Sequence, residues 1–204
     1  MLRLANLSKR FGDHVVFQGL TRDFGPGCYA LTEEDSTGKS SLLRIIAGEL
    51  AADDGEVWID GHSLGEAPRQ ARARLAYVPD DCLAQPLLTG REFLTQAAAD
   101  KQTRVDSAIL ELAEQLGLAP HLDKRFEQMS TGTRRKVYLT AAALAQPAVV
   151  IADGPSSGLD AQARAALADL FKRWGRDRVV LIASHDAPLV QRCEATPLNA
   201  ATLR

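Results

Sequence analysis

The chain has 204 residues, 46% apolar and 25% charged, which suits one domain with a buried core and excludes wholesale disorder. Twenty-four basic residues against 26 acidic ones leave a formal net charge of −2, with no global pull toward nucleic acid or an anionic membrane. The longest apolar runs, such as 148–152 and 179–183, are five residues long, against the roughly 20 needed to span a bilayer. Residues 1–14 hold no stretch of signal-peptide character. Cys28, Cys82 and Cys193 show no CxxC or Cys/His metal spacing and read as free thiols of a reducing compartment. These features predict a soluble, intracellular protein.

In chain order, 2–7, 15–17 and 20–24 read as short strands broken at Gly12 and Gly19. A strand at 28–31 enters a loop at 32–37, and a helix over 39–47 stops at Gly48. Strands follow at 56–59 and 75–78. From 89 to 118 the apolar residues recur at three- and four-residue steps (Phe93, Leu94, Ala97, then Ile109, Leu112, Ala113, Leu116), the helical period. The pattern then predicts a long helix from 131 to 145 closed by Pro147, a buried strand at 148–152, an amphipathic helix at 160–174 and a last buried strand at 179–183. Alternating strands and helices argue for an α/β fold with a mainly parallel sheet, in which the helical stretch between Cys82 and Gln128 is an insert.

The segment TEEDSTGKSS (32–41) sits between a strand and a helix, the context in which backbone N–H groups at a helix N-terminus face an anion. Gly38, Lys39 and Ser40 match the end of the GxxxxGK[ST] pattern, in which the lysine reaches the terminal phosphates and the hydroxyl ligates Mg²⁺. Four further segments follow in order: YVPDD (77–81), MSTGTRRKV (129–137), AVVIADGPSSGLD (148–160) and VVLIASHD (179–186). They resemble, respectively, the Q-loop, the signature, the Walker B strand with its D-loop, and the histidine switch of the ATP-binding-cassette (ABC) ATPases. The resemblance covers nearly the whole chain.

It implies a single cassette over 1–204: a P-loop NTPase (RecA-like) core, a small N-terminal antiparallel β subdomain, and a helical subdomain at about 82–130. It implies ATP and Mg²⁺ as cofactors. Phe11 would stack on adenine; Ser36, Thr37, Gly38, Lys39, Ser40 and Ser41 would hold the phosphates; Ser40, Asp153 and Asp80 would serve the metal. Ser130, Gly132 and Asp160 would lie at a dimer interface, and His185 would be the catalytic switch. The alternative for Phe11 is a strand-end core residue, and for Asp160 a helix N-cap. Arg134, Arg135 and Lys136 read as the solvated face of the helix after the signature.

The departures from the family pattern fall on the chemistry. Gly154 stands where the family places the glutamate that polarises the attacking water, and loss of a general base typically costs about 10²–10⁴ in rate. Asp80 replaces the Q-loop glutamine. Glu33 and Ser36 replace glycines and Asp35 an asparagine in the phosphate loop, while Thr131 and Thr133 replace a glycine and a glutamine in the signature. The resulting expectation is the ATP-binding subunit of a bacterial-type ABC transporter with weakened binding and hydrolysis. It would dimerise with itself or another cassette and attach peripherally to the inner membrane through separately encoded membrane subunits. A non-hydrolysing pseudo-ATPase is the alternative. A cassette of DNA repair or translation is disfavoured by the single cassette and the lack of basic excess, so no nucleic-acid partner is expected.

Overall fold

The computed structural model describes residues 1–32 and 38–199. β1 (Leu2–Phe11) and β2 (His14–Phe24) form a hairpin, and β3 (Gly27–Leu31) precedes α1 (Lys39–Ala47). β4 (Asp54–Ile59), the two-residue β5 (His62–Ser63), α2 (Pro68–Ala73) and β6 (Leu75–Val78) follow. Next come α3 (Gly90–Asp100), α4 (Ser107–Gln115) and two short 3₁₀ turns, then α5 (Thr131–Ala141). The chain continues through β7 (Val149–Asp153), α6 (Ala161–Trp174), β8 (Val179–Ala183), α7 (Ala187–Arg192) and β9 (Thr196–Leu198).

Two sheets result: an antiparallel one ordered β2-β1-β4-β5 and a parallel one ordered β6-β7-β8-β3-β9. The parallel strands are apolar on both faces, and each face has its own core. Leu31, Val149, Ile151, Val179 and Leu181 pack with α1 and the antiparallel sheet. Ala30, Val150, Ala152, Val180 and Ile182 pack against residues of α5, α6 and α7. That two-sided burial explains why β7 and β8 read as unbroken apolar runs rather than alternating ones. The insert has a smaller core of its own around Leu94, Ala113, Leu122, Phe126 and Val137.

Several boundaries differ from the sequence reading. Gly19 does not break β2; it takes φ +66° and its N–H donates to Ser8 Oγ at 3.0 Å while the ladder continues through an irregular register. The helical stretch 89–118 divides into α3 and α4, because Gln102 adopts a left-handed conformation and Asp106 caps the second helix. α5 ends at Ala141, with Ala145 and Gln146 both at positive φ, so the chain turns before Pro147. α2, β5, α7 and β9 had no sequence signal strong enough to mark them.

Candidate functional site

The parallel sheet delivers three loops to one level. Leu31 pairs with Ala183, and Asp153 pairs with the same Ala183, so the ends of β3, β7 and β8 are in register. Ligands of open α/β sheets bind beyond the carboxyl ends of such strands. The Asp153 strand is not beside the strand that leads to Lys39; β8 lies between them. The two residues still meet because α1 crosses over and packs on β7.

A cleft of about 330 Å³ gathers Lys39, Ser40, Asp80, Asp153, Gly154 and His185. Lys39 Nζ lies 3.3 Å from His185 Nε2. Asp153 is 9% exposed, and burial pushes its carboxyl above the ordinary value of 3.8; the Ser40 hydroxyl bonded to it pulls the other way, and the Asp80 charge pushes further up. α1 begins at Lys39 with Gly38 as N-cap at φ +89°, with no side-chain cap and no acidic residue in its first turn. Among the described residues no side chain caps this terminus, and the positive end of the helix dipole favours an anion there. Gly38 is required there, since a Cβ would come 2.2 Å from Val16 Cγ1. Ser41 follows in the same turn, half-buried.

This donor set suits Mg²⁺ held with a triphosphate: a hydroxyl and a carboxylate from the protein, with phosphate oxygens and water completing the shell. Asp80 fits the metal role less well. Its Oδ1 faces the guanidinium of Arg135 at 3.3 Å, a cation already in place.

Arg135 is the residue the sequence reading misplaced. It is 1% exposed, not on a solvated face, and Lys136 is 9% exposed. Arg135 Nη1 donates to the carbonyls of Asp153 (3.1 Å) and Gly154 (2.5 Å), and Nη2 to the carbonyl of Asp80 (2.5 Å). Lys136 Nζ donates to Asp160 Oδ2 at 2.8 Å. Only the helical phase could have shown this: in α5 the two fall on the same side as Leu139 and Thr140, and only Arg134 of the three is left half-exposed.

The remaining site residues are distributed as follows. Phe11 ends β1 at 51% exposure with Lys9 Nζ 5.2 Å from its ring, so it is not a core residue. Ser130 caps α5, accepting from the Thr133 N–H at 3.2 Å. Asp160 caps α6, accepting from the Ala163 N–H at 2.8 Å, and the Lys136 bond holds its carboxyl below the usual range. Gly132 is buried against Gly158, away from the cleft. Glu33, Asp35, Ser36 and Thr37 lie outside the described residues. Cys28, Cys82 and Cys193 are unbridged and buried, and burial pushes the Cys82 thiol up to about 12.

Comparison with known proteins gives this geometry its class. The family model described as ABC transporter matches residues 27–157. The chain belongs to that family, as an ATP-binding cassette with a P-loop NTPase fold. It is 30% identical over 200 residues to the ABC transporter ATP-binding/permease protein Rv1747 of Mycobacterium tuberculosis, covering 93% of this chain and 23% of that one. It is 25% identical over 192 residues to the linearmycin resistance ATP-binding protein LnrL of Bacillus subtilis, covering 89% and 60%. Among solved structures, an ATP-binding subunit of an ABC transporter superposes with a TM-score of 0.84 at 26% identity, covering 94% of this chain and 82% of that one. The dimeric post-hydrolysis state of the cassette MJ0796, bound to ADP and Pi, superposes at 0.83 with 21% identity, covering 98% and 95%. Among the described residues no helix is long and apolar enough to cross a membrane.

The raised Asp153 carboxyl has a measurable consequence. Folding favours its protonated form, so its stabilising contribution is complete below about 3.8 and is lost as the pH rises through the folded-state value. At neutral pH the ionised group is a net cost in the ligand-free protein. Asp153→Asn, which can still accept from Ser40, will therefore raise the melting temperature of ligand-free protein at pH 7. The gain will shrink as the pH is lowered toward 4. Calorimetry at two pH values checks both parts, and Mg-ATP should stabilise the variant less than the parent.

Proposed function

We propose that the chain is a transporter cassette, single over 1–204 with its helical subdomain at about 82–130, that binds Mg-ATP weakly and turns it over slowly. The observation that carries this reading is the cleft itself. The α1 N-terminus, Lys39, Ser40, Asp153 and His185 converge there, while Gly154 offers no side chain. Ser36, Thr37, Gly38, Lys39, Ser40 and Ser41 hold the phosphates, Ser40 and Asp153 serve Mg²⁺, and the exposed Phe11 takes the adenine. Ser130, Gly132 and Asp160 belong to the surface that meets a second cassette. The dimeric MJ0796 neighbour supports that association. Relatives named as transporter ATP-binding proteins support a membrane-spanning partner, and with it a cytoplasmic site at the inner membrane. Leu83 and Leu87, 60% and 65% exposed after β6, supply an apolar face for that partner. No nucleic acid is involved.

Weak binding follows from charge. Glu33 and Asp35 precede the helix terminus that attracts the phosphates. A unit charge 4 Å from a like charge is repelled by about 1 kcal/mol in water and about 4 at an effective dielectric of 20. Restoring glycine, asparagine and glycine at Glu33, Asp35 and Ser36 should therefore tighten ATP binding at least about tenfold, equivalent to 1.4 kcal/mol. Titration with labelled ATP and Mg²⁺ tests this, with Lys39→Ala as the non-binding control. Low-micromolar affinity in the unaltered chain would overturn the electrostatic argument. The missing carboxylate at Gly154 favours a second reading, a pseudo-ATPase; it is the outcome if ATP binds and phosphate release does not exceed the control.

A further inference from the structure

We infer that the carboxylate of Asp80, clasped by Arg135, takes the proton of the attacking water in this cleft, in place of a side chain at residue 154. The inference rests on the proposed ATP cleft and concerns its turnover. A Cβ added to Gly154 would lie 2.8 Å from Asp80 Oδ1 and 3.2 Å from Ser157 Oγ. The space directly over residue 154 thus already holds a carboxylate. Gly154 also sits at φ +53°, a conformation that favours glycine, and any side chain there would have to displace the Asp80 carboxylate from this position.

Three carboxylates line the cleft among the described residues, and two are committed elsewhere. Asp186 caps α7 through the Leu189 N–H at 3.1 Å and faces Arg164 at 3.8 Å. Asp153 is buried and bonded to Ser40. Asp80 keeps a side chain 70% exposed, oriented by one contact to Oδ1. The Arg135 fork fixes both the Asp80 main chain and the end of β7, so the carboxylate is held at a set height above Gly154. A base must be placed before its proton affinity matters. In the step, the water oxygen bonds to the γ-phosphorus and the bond from that phosphorus to the β-bridging oxygen breaks. Its electron pair leaves with ADP, and the water proton passes to Asp80 and from there to solvent.

Asp80→Asn tests the inference, because the amide oxygen can still accept from Arg135 while the proton acceptor is gone. Steady-state phosphate release and labelled-ATP titration are measured on the same preparations. The expected result is slow release in the unaltered chain that exceeds Lys39→Ala. In Asp80→Asn, kcat should fall about 100-fold with KM and ATP affinity unchanged or improved, since a negative charge has left the cleft. Asp80→Glu should retain more turnover than Asp80→Asn. Asp80→Asn releasing phosphate at the unaltered rate would overturn the inference, and so would an unaltered chain that binds ATP without exceeding the control. Either of those results leaves the ATP-binding reading standing, whereas failure to bind ATP removes both.

Discussion

Replacing Arg135 with methionine should destabilise the folded chain by about 3 kcal/mol, the order expected when one partner of a buried charged network is removed. For a chain of this length that corresponds to a fall in melting temperature of about 6–12 °C. The side chain is 1% exposed and its two terminal nitrogens serve three carbonyls and one carboxylate. Those carbonyls belong to Asp80 after β6 and to Asp153 and Gly154 at the end of β7, while Arg135 itself stands on α5. One guanidinium therefore joins α5 to the chain just after β6 and to the end of β7. Methionine keeps much of the volume, so the loss reports the hydrogen bonds rather than a cavity. Lysine should recover less than half of it, because an ammonium has no planar fork to span the two strand ends. Denaturant unfolding of the three proteins measures this, and a change within about 0.5 kcal/mol for methionine would show that water replaces the fork at no cost.

The same arginine marks where the sequence stopped being informative. The strands β3, β6, β7 and β8 and the helices α1 and α6 were legible because their apolar period or their unbroken apolar runs leave little choice of element. The order of the motifs likewise assigns Lys39, Ser40, Asp153 and His185 to one site, and they share one cleft. Basic residues in a helix carry no such signal. Arg134, Arg135 and Lys136 look alike in the sequence, yet partners 18 to 55 residues away decide which are buried. Strand order was hidden for a related reason: β8 inserts between β3 and β7, and no local pattern encodes a non-local pairing. The short α7 and β9 depend on Asp186 as a cap and on the edge of β3, both supplied by the rest of the fold. Asp80 was readable as a substitution and not as a placement, since its position over Gly154 depends on Arg135.

Gly132→Ala should be strongly damaging for a single added methyl, costing about 2–3 kcal/mol, the upper part of the range for overpacking a close contact. A Cβ at Gly132 would lie 2.0 Å from the Gly158 carbonyl oxygen and 2.9 Å from its carbon. Both neighbours are backbone, so no rotamer change relieves the clash. Gly158 is itself fixed at φ +73°, with its own added Cβ 3.1 Å from the Gly132 nitrogen, so the two glycines interlock. The first turn of α5 and the segment leading to Asp160 must then separate, which stretches the Lys136–Asp160 contact of 2.8 Å. Any loss of ATP-dependent pairing in this variant would accordingly mix a folding defect with an interface defect. Ser130→Asp separates the two. Aspartate caps a helix as well as serine does and suits the positive helix end, so the fold should stay within about 0.5 kcal/mol of the parent. A negative charge at Ser130 nonetheless enters the surface that meets a second cassette if the proposed dimer forms. The expected pattern is an unstable Gly132→Ala and a stable Ser130→Asp that no longer associates with ATP, read by thermal melts and light scattering. A Gly132→Ala protein as stable as the parent would mean that the Gly158 loop yields without cost, and the interlock would lose its structural role.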